Sequence, residues 1–168
     1  MKNQILDIKK VKLILFDFDG VLTNNKVYIN GRGEESVICD RADGLAFRAL
    51  KMINLECIIL STEKNKVVST RGEKLGLTVF QGVEDKLSKV IEISEAKKID
   101  LREIMFIGND INDLSVIKKV GISACPSDSH NLIKQNSTFC LSRSGGDAIA
   151  REIVEELFNI DIQKVLKI

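Results

Sequence analysis

Val11-Lys-Leu-Ile-Leu-Phe16-Asp17-Phe-Asp19-Gly20-Val-Leu-Thr23 is the stretch on which the reading of this chain turns. Leu13 to Phe16 is an unbroken apolar run, the pattern of a strand buried on both faces. It stops at two carboxylates, Asp17 and Asp19, and then Gly20. In a parallel α/β sheet, ligands bind at the C-terminal ends of the strands. Two acids there, with a glycine freeing the backbone behind them, point to a metal-assisted site rather than to packing.

The rest of the chain repeats the rhythm of that strand. Short apolar runs fall at Val11–Phe16, Glu56–Leu60, Thr78–Phe80, Ile104–Ile107, Ile122–Ala124 and Phe139–Leu141. Helical spacing falls between them, near Gly44–Ile53, Lys66–Leu75, Asp85–Lys97, Asn112–Lys118 and His130–Gln135, with a last helix over Gly146–Phe158. Strand–helix alternation predicts parallel strands joined by right-handed crossovers, hence a doubly wound, three-layer α/β fold of Rossmann type. The 168 residues suit one domain over 1–168.

One segment breaks the alternation. Val27-Tyr-Ile29, Asn30-Gly-Arg-Gly33 and Ser36-Val-Ile-Cys39 read as a β-hairpin with a glycine turn. Two strands alone are marginal in water, so the hairpin either packs on something, such as another subunit, or stands as a flap. The tail beyond Phe158 alternates apolar and charged residues. It is expected to reach over a neighbouring subunit or to fray.

Composition removes several function classes. The net charge of +1, with seven Phe and one Tyr, offers little to nucleic acid or to an anionic membrane surface. No run is long enough to span a bilayer, and the N-terminal residues do not resemble a signal peptide, so a cytoplasmic location is expected. Cys39, Cys57, Cys125 and Cys140 form no Cys-x-x-Cys pair, which speaks against a zinc site and fits a reducing compartment. His130 is the one histidine, so histidine-based triads have a single candidate.

Four pieces fall in loops that follow strands: Asp17-Phe-Asp19-Gly20; Ser61; Lys86; and Gly108-Asn109-Asp110, with Asp113 one turn on. Singly each has a bland reading as turn, cap or solvated lysine. Together, at one sheet edge, they suit phosphoryl transfer. A phosphate ester and a carboxylate repel each other by about 4 kcal/mol at ~4 Å and an effective dielectric of ~20. A Mg²⁺ ion between them removes that barrier. Asp17 and Asp110 supply carboxylates, and the Asp19 carbonyl a third oxygen. Lys86 and Ser61 hold the phosphoryl oxygens. Asp17 is the nucleophile and Asp19 the general acid and base.

These residues resemble the motifs of the haloacid dehalogenase superfamily: Asp17-Phe-Asp19-Gly20-Val21-Leu22-Thr23 the first, Ser61 the second, Lys86 the third and Gly108-Asn109-Asp110-x-x-Asp113 the fourth. The resemblance implies an HAD-like fold, an aspartyl-phosphate at Asp17 and Mg²⁺ held by Asp17, Asp19 and Asp110. It also implies a substrate contact at Thr23 and supporting roles for Asn109 and Asp113. Residues 24–60 have room only for the hairpin and one helix, and residues 62–85 for one helix and one strand, so no cap domain is expected. Capless sugar-acid phosphatases are homotetramers in which the hairpins assemble and a neighbouring subunit closes the site. Arg41-Ala-Asp43-Gly44, Asp128-Ser-His130, Gly145-Gly146 and Arg151-Glu152 also resemble that group.

Substrate choice turns on the second motif. Ser61-Thr62-Glu63, followed by Arg71 and Lys74, resembles the branch acting on 2-keto-3-deoxynononate 9-phosphate or N-acylneuraminate 9-phosphate. Arg71 and Lys74, three apart on a helix, suit a substrate carboxylate, and Glu63 suits sugar hydroxyls. The alternative is 3-deoxy-D-manno-octulosonate 8-phosphate. A different class, an assembly module of a sialic acid cytidylyltransferase system, needs none of Asp17, Asp19, Lys86 and Asp110. Two departures from the family pattern stand out: Asn109 where an aspartate is frequent, and Ala148 where a glycine is usual.

Overall fold

A computed structural model of the chain describes residues 5–168. Six parallel strands lie in the order β5-β4-β1-β6-β7-β8. They are β1 (Leu13–Phe16), β4 (Glu56–Leu60), β5 (Thr78–Phe80), β6 (Ile104–Ile107), β7 (Ile122–Cys125) and β8 (Phe139–Cys140). β2 (Thr23–Ile29) and β3 (Glu35–Cys39) form a separate antiparallel hairpin. The chain runs outward from β1 to β5, returns to the other side of β1 with β6, and continues to β8. The strand order therefore switches direction at β1, the place where such sheets bind ligands.

Every residue of β1 and β6 is buried, because apolar layers cover both faces. On one face Ile14, Phe16, Ile59 and Met105 pack with α1 (Asp43–Met52), α2 (Val67–Leu75), α6 (Ile149–Glu152) and the segment after it. The rings of Phe16 and Phe47 meet edge to face at 5.1 Å, tying α1 to β1. On the other face Leu13, Leu15, Ile58 and Phe106 pack with α3 (Lys86–Lys97), α4 (Leu114–Ile117) and α5 (Asn131–Asn136). The three-layer arrangement expected from the alternation is the one observed.

Two expectations change. The last helix is broken: regular α-helix covers only Ile149–Glu152, and Ile153–Leu157 widens into a π-turn. The tail does not reach outward or fray. It forms α7 (Ile162–Leu166), with Ile162 and Leu166 buried in the α1 layer. The hairpin begins at Thr23, so it grows directly out of the Asp17–Thr23 stretch. Its register shifts between Thr23 and Val27, where Asn25 takes a left-handed conformation that asparagine tolerates.

Candidate active site

The C-terminal ends of β1, β4 and β6 and the start of α3 bring the expected residues together. Lys86, the first residue of α3, aims its ammonium at Asp17 Oδ1 (2.8 Å) and at Asp113 Oδ1 (2.7 Å). All three side chains are almost fully closed to solvent, at 1%, 6% and 0% exposure. Asp17 Oδ1 also accepts the N–H of Phe18 at 2.7 Å. One oxygen of Asp17 is thus held by two donors, while among the described residues no hydrogen bond engages Oδ2. Burial pushes the Asp17 carboxyl up to about 8, the Asp113 charge adding to it and Lys86 opposing it. Burial alone would lower Lys86, but its two carboxylate partners outweigh that and hold it above its usual value.

Asp113 ties the fourth motif together. Its Oδ2 accepts the N–H of Asn109 (2.9 Å) and that of Asp110 (3.4 Å). A side chain at Gly108 would sit 2.5 Å from Asp113, so the loop closes this tightly only with glycine there. Asp110 is exposed at the site's edge, and its Oδ1 accepts the N–H of Ile111 at 2.7 Å.

Asp19 is half-buried beyond Asp17. Burial raises its carboxyl, the charge of Glu63 adds to this, and a hydrogen bond from Thr23 opposes it. A raised carboxyl is the form a general acid needs. Ser61 is buried, and its Oγ accepts the N–H of Glu63 at 3.0 Å, which leaves the hydroxyl proton free to donate.

Four residues expected near substrate are placed otherwise or are engaged. Thr23 has no exposure, and its hydroxyl is engaged within the first motif. Its Oγ1 accepts the N–H of Gly20 and of Asn25, both at 3.2 Å, and donates to Asp19 Oδ1 at 3.5 Å, so it positions Asp19. Lys74 belongs to a cleft of about 720 Å³ with Phe47, Arg48 and Lys51, floored by the N-terminal ends of β4 and β5. It lies at the end of α2 away from the catalytic edge and does not pair with Arg71 there. Arg71 donates to the Asp40 carbonyl at 2.6 Å, anchoring the chain where it leaves the hairpin. Glu63 stays beside Asp19, yet its Oε1 accepts the N–H groups of Lys64 (2.6 Å) and Asn65 (2.7 Å) in its own turn.

A second set of buried groups carries no role in the motif reading. Asp43 receives the Ala150 N–H at 2.9 Å, joining α1 to α6. Glu152 accepts the N–H and hydroxyl of Ser142 (2.6 and 2.7 Å) and the N–H of Arg143 (3.0 Å). It thereby fixes the loop whose Gly145 lies so near the Gly20 carbonyl that a Cβ would stand 2.1 Å from it. Gly146 donates to the Val21 carbonyl at 3.0 Å. The C-terminal segment thus buttresses the Asp17–Thr23 stretch. The signal in the sequence was an acid just before or within a helix. Charge alone does not separate such an anchor from a solvated face.

The donors at this edge fit Mg²⁺. Asp17, Asp110 and the Asp19 carbonyl are hard oxygens, of which this ion uses few from protein. Two buried carboxylates, Asp17 and Asp113, face one ammonium, and a cation beside Asp17 would offset the remaining negative charge. Among the described residues no three His, Cys, Asp or Glu side chains converge on one point. The donor set above requires only two. Asn109 is buried, with its Oδ1 unpaired and its amide against Gly20.

Known proteins resemble the chain over most of its length. Residues 45–153 match the model of the haloacid dehalogenase-like hydrolases. The 3-deoxy-D-manno-octulosonate 8-phosphate phosphatase KdsC of Escherichia coli K12 is 29% identical over 154 residues, 91% of this chain and 82% of the relative. The structure of the Yersinia pestis enzyme of that name superposes with a TM-score of 0.86 at 25% identity, covering 95% of this chain and 86% of that one. The Moraxella catarrhalis enzyme, solved with a magnesium ion, a phosphate ion and KDO, gives 0.84 at 25% identity, with coverages of 95% and 88%.

Proposed function

The chain belongs to the haloacid dehalogenase-like hydrolases, in their capless sugar-phosphate phosphatase group, and we propose that it hydrolyses 3-deoxy-D-manno-octulosonate 8-phosphate. The observation that carries the chemistry is the buried Asp17–Lys86–Asp113 bridge beside Asp19. The observation that favours the eight-carbon ester is the likeness to relatives named for it, together with the loss of two of the three residues behind the nine-carbon reading. Lys74 is in another cleft and Arg71 is committed to Asp40.

Asp17 Oδ2 attacks phosphorus and an aspartyl-phosphate forms. Asp19, held by Thr23, gives its proton to the leaving sugar oxygen. It then takes a proton from the water that cleaves the acyl phosphate. Lys86 and the Ser61 hydroxyl balance charge on the phosphoryl oxygens. Asp113 keeps Lys86 charged and aimed. Asp17, Asp110 and the Asp19 carbonyl would hold Mg²⁺, which when bound would neutralise charge on carboxylate and phosphate.

The assembled enzyme in this reading is a cytoplasmic homotetramer in which a neighbouring subunit closes the site. Its support is the hairpin, where Val27, Tyr28, Ile29 and Ile38 are 52%, 56%, 68% and 49% exposed. An apolar ribbon this open is the mark of an interface. Sedimentation mass tests it, and a fully active monomer would remove the neighbouring lid.

A second substrate reading rests on Glu63. It alone of the three stays beside Asp19, which suits a nine-carbon acid with further hydroxyls. Phosphate release from octulosonate 8-phosphate, 2-keto-3-deoxynononate 9-phosphate and N-acetylneuraminate 9-phosphate, compared as kcat/KM, decides. Preference for the eight-carbon ester supports the proposal, and preference for a nine-carbon ester replaces it with the second reading. Turnover of none of them sinks both.

A further inference from the structure

Cys125 ends β7 and Cys140 ends β8, and the two are register partners in the parallel ladder. Partners on neighbouring strands lie about 4.8 Å apart in the hydrogen-bonding direction, inside the Cα window of a disulfide. They also share a face of the sheet. The ladder is pinned on both sides of the pair. Before it, the Ser123 N–H donates to Thr138 Oγ1 (3.2 Å), and the Thr138 N–H donates to Ser123 Oγ (3.0 Å). After it, the Leu141 N–H donates to the Cys125 carbonyl at 2.8 Å, and the Ser127 N–H to the Arg143 carbonyl at 2.9 Å. The two thiols cannot drift out of register without breaking these bonds.

The pair is also asymmetric. Cys140 is the one exposed cysteine of the four, while Cys125 and Cys57 are buried and Cys39 is half-buried. All four are free thiols. Burial pushes the Cys125 thiol up to about 11, so it does not meet oxidant first. The hydroxyls of Ser137 and Ser129 stand beside it. No other role in the site uses either cysteine.

We propose that the Cys125–Cys140 pair is a peroxide-responsive site that closes into a reversible disulfide between β7 and β8. Cys140 sulfur attacks one oxygen of a hydroperoxide, the O–O bond breaks, and water or an alcohol leaves, giving a sulfenic acid. Cys125 sulfur then attacks Cys140 sulfur, the S–O bond breaks, water leaves, and the S–S bond forms. The Cys140 thiol hydrogen leaves with the first water or alcohol, and the sulfenic hydroxyl with the Cys125 thiol hydrogen makes the water of the second step. The loop after β7 carries His130, whose N–H donates to the Asn109 carbonyl at 2.9 Å, so the disulfide forms one loop away from the fourth motif. An effect on turnover rests on the phosphatase reading; the disulfide itself does not.

The test is intact-mass and peptide mapping of the full chain after hydrogen peroxide, with and without dithiothreitol. The expected result is a mass lower by two hydrogens, a peptide linking Cys125 to Cys140, and full reversal by the reductant. Cys140→Ser abolishes the linkage, and Cys125→Ser leaves a sulfenic acid at Cys140 that dimedone captures. A linked peptide with no change in phosphate release keeps the site and removes only its bearing on catalysis. A chain that stays reduced, a sulfinic acid at Cys140 with both cysteines present, or a Cys140–Cys140 dimer overturns the proposal.

Discussion

Lys86 Nζ stands between Asp17 and Asp113, 2.8 Å from one and 2.7 Å from the other, with all three side chains nearly closed to solvent. It is both the charge partner of the expected nucleophile and a fastening between α3 and the fourth motif. Removing it leaves two buried carboxylates facing each other. Lys86→Met should therefore lose phosphatase activity and about 3 kcal/mol of stability, as broken buried ion pairs do. Urea unfolding beside phosphate release checks both. An inactive variant of undiminished stability would show that the bridge does not hold the fold.

Asp19→Asn separates the two halves of the reaction. It should slow steady-state hydrolysis by roughly 10²–10⁴-fold. With p-nitrophenyl phosphate, whose leaving group needs no proton, the first turnover should survive and the second stall. Rapid mixing would then show a burst of nitrophenol equal to the enzyme present. A slow first turnover would show that Asp19 does more than move protons.

Asp43 sets a pH dependence of stability. Burial pushes its carboxyl up to about 6, against hydrogen bonds from Ala150 and Arg151 that pull it down. Unfolded, it ionises near its ordinary value, so between pH 4 and pH 6 the folded state binds more proton. Its stabilising share is present below that window and lost as pH rises through it. Asp43→Asn should gain on the parent by roughly 2–3 kcal/mol between pH 4 and pH 7. Unfolding curves at both pH values decide, and a pH-independent difference would contradict the shift.

Ala148 keeps a glycine's backbone without being one: φ is +54° and ψ is +47°. Left-handed φ costs a non-glycine residue about 1–2 kcal/mol. Ala148→Gly should therefore hold or raise the melting temperature. Ala150→Gly, which removes the same methyl from regular helix, should lose about 1–2 kcal/mol. Equal losses at both positions would argue against strain.

The strands, their parallel sense and the four motif loops were legible because burial on both faces writes unbroken apolar runs, and acids interrupt them. Side-chain direction was not. Thr23 looked like a substrate contact because it ends the first motif, but a hydroxyl three residues past Gly20 satisfies that turn's own N–H. Arg71 and Lys74 share a helical spacing, yet spacing does not say how far along α2 the catalytic edge extends. α7 is five residues long and gains its order from docking on α1, a tertiary term no local pattern carries. Asp43 and Glu152 stood out in the sequence only as part of the resemblance, and their anchoring role is visible only once the segments they hold are folded against them.

The bridge at Lys86 joins a residue 27 positions downstream to one just past the end of the first strand, far upstream. None of its three members is a neighbour of another along the chain, and β1, α3 and the β6 loop must all be docked before the ammonium has anywhere to go. Turnover is for that reason a gauge of completed folding. During refolding, regular secondary structure should return first and phosphate release last, and the lag between them would time the closing of the sheet around its central strand.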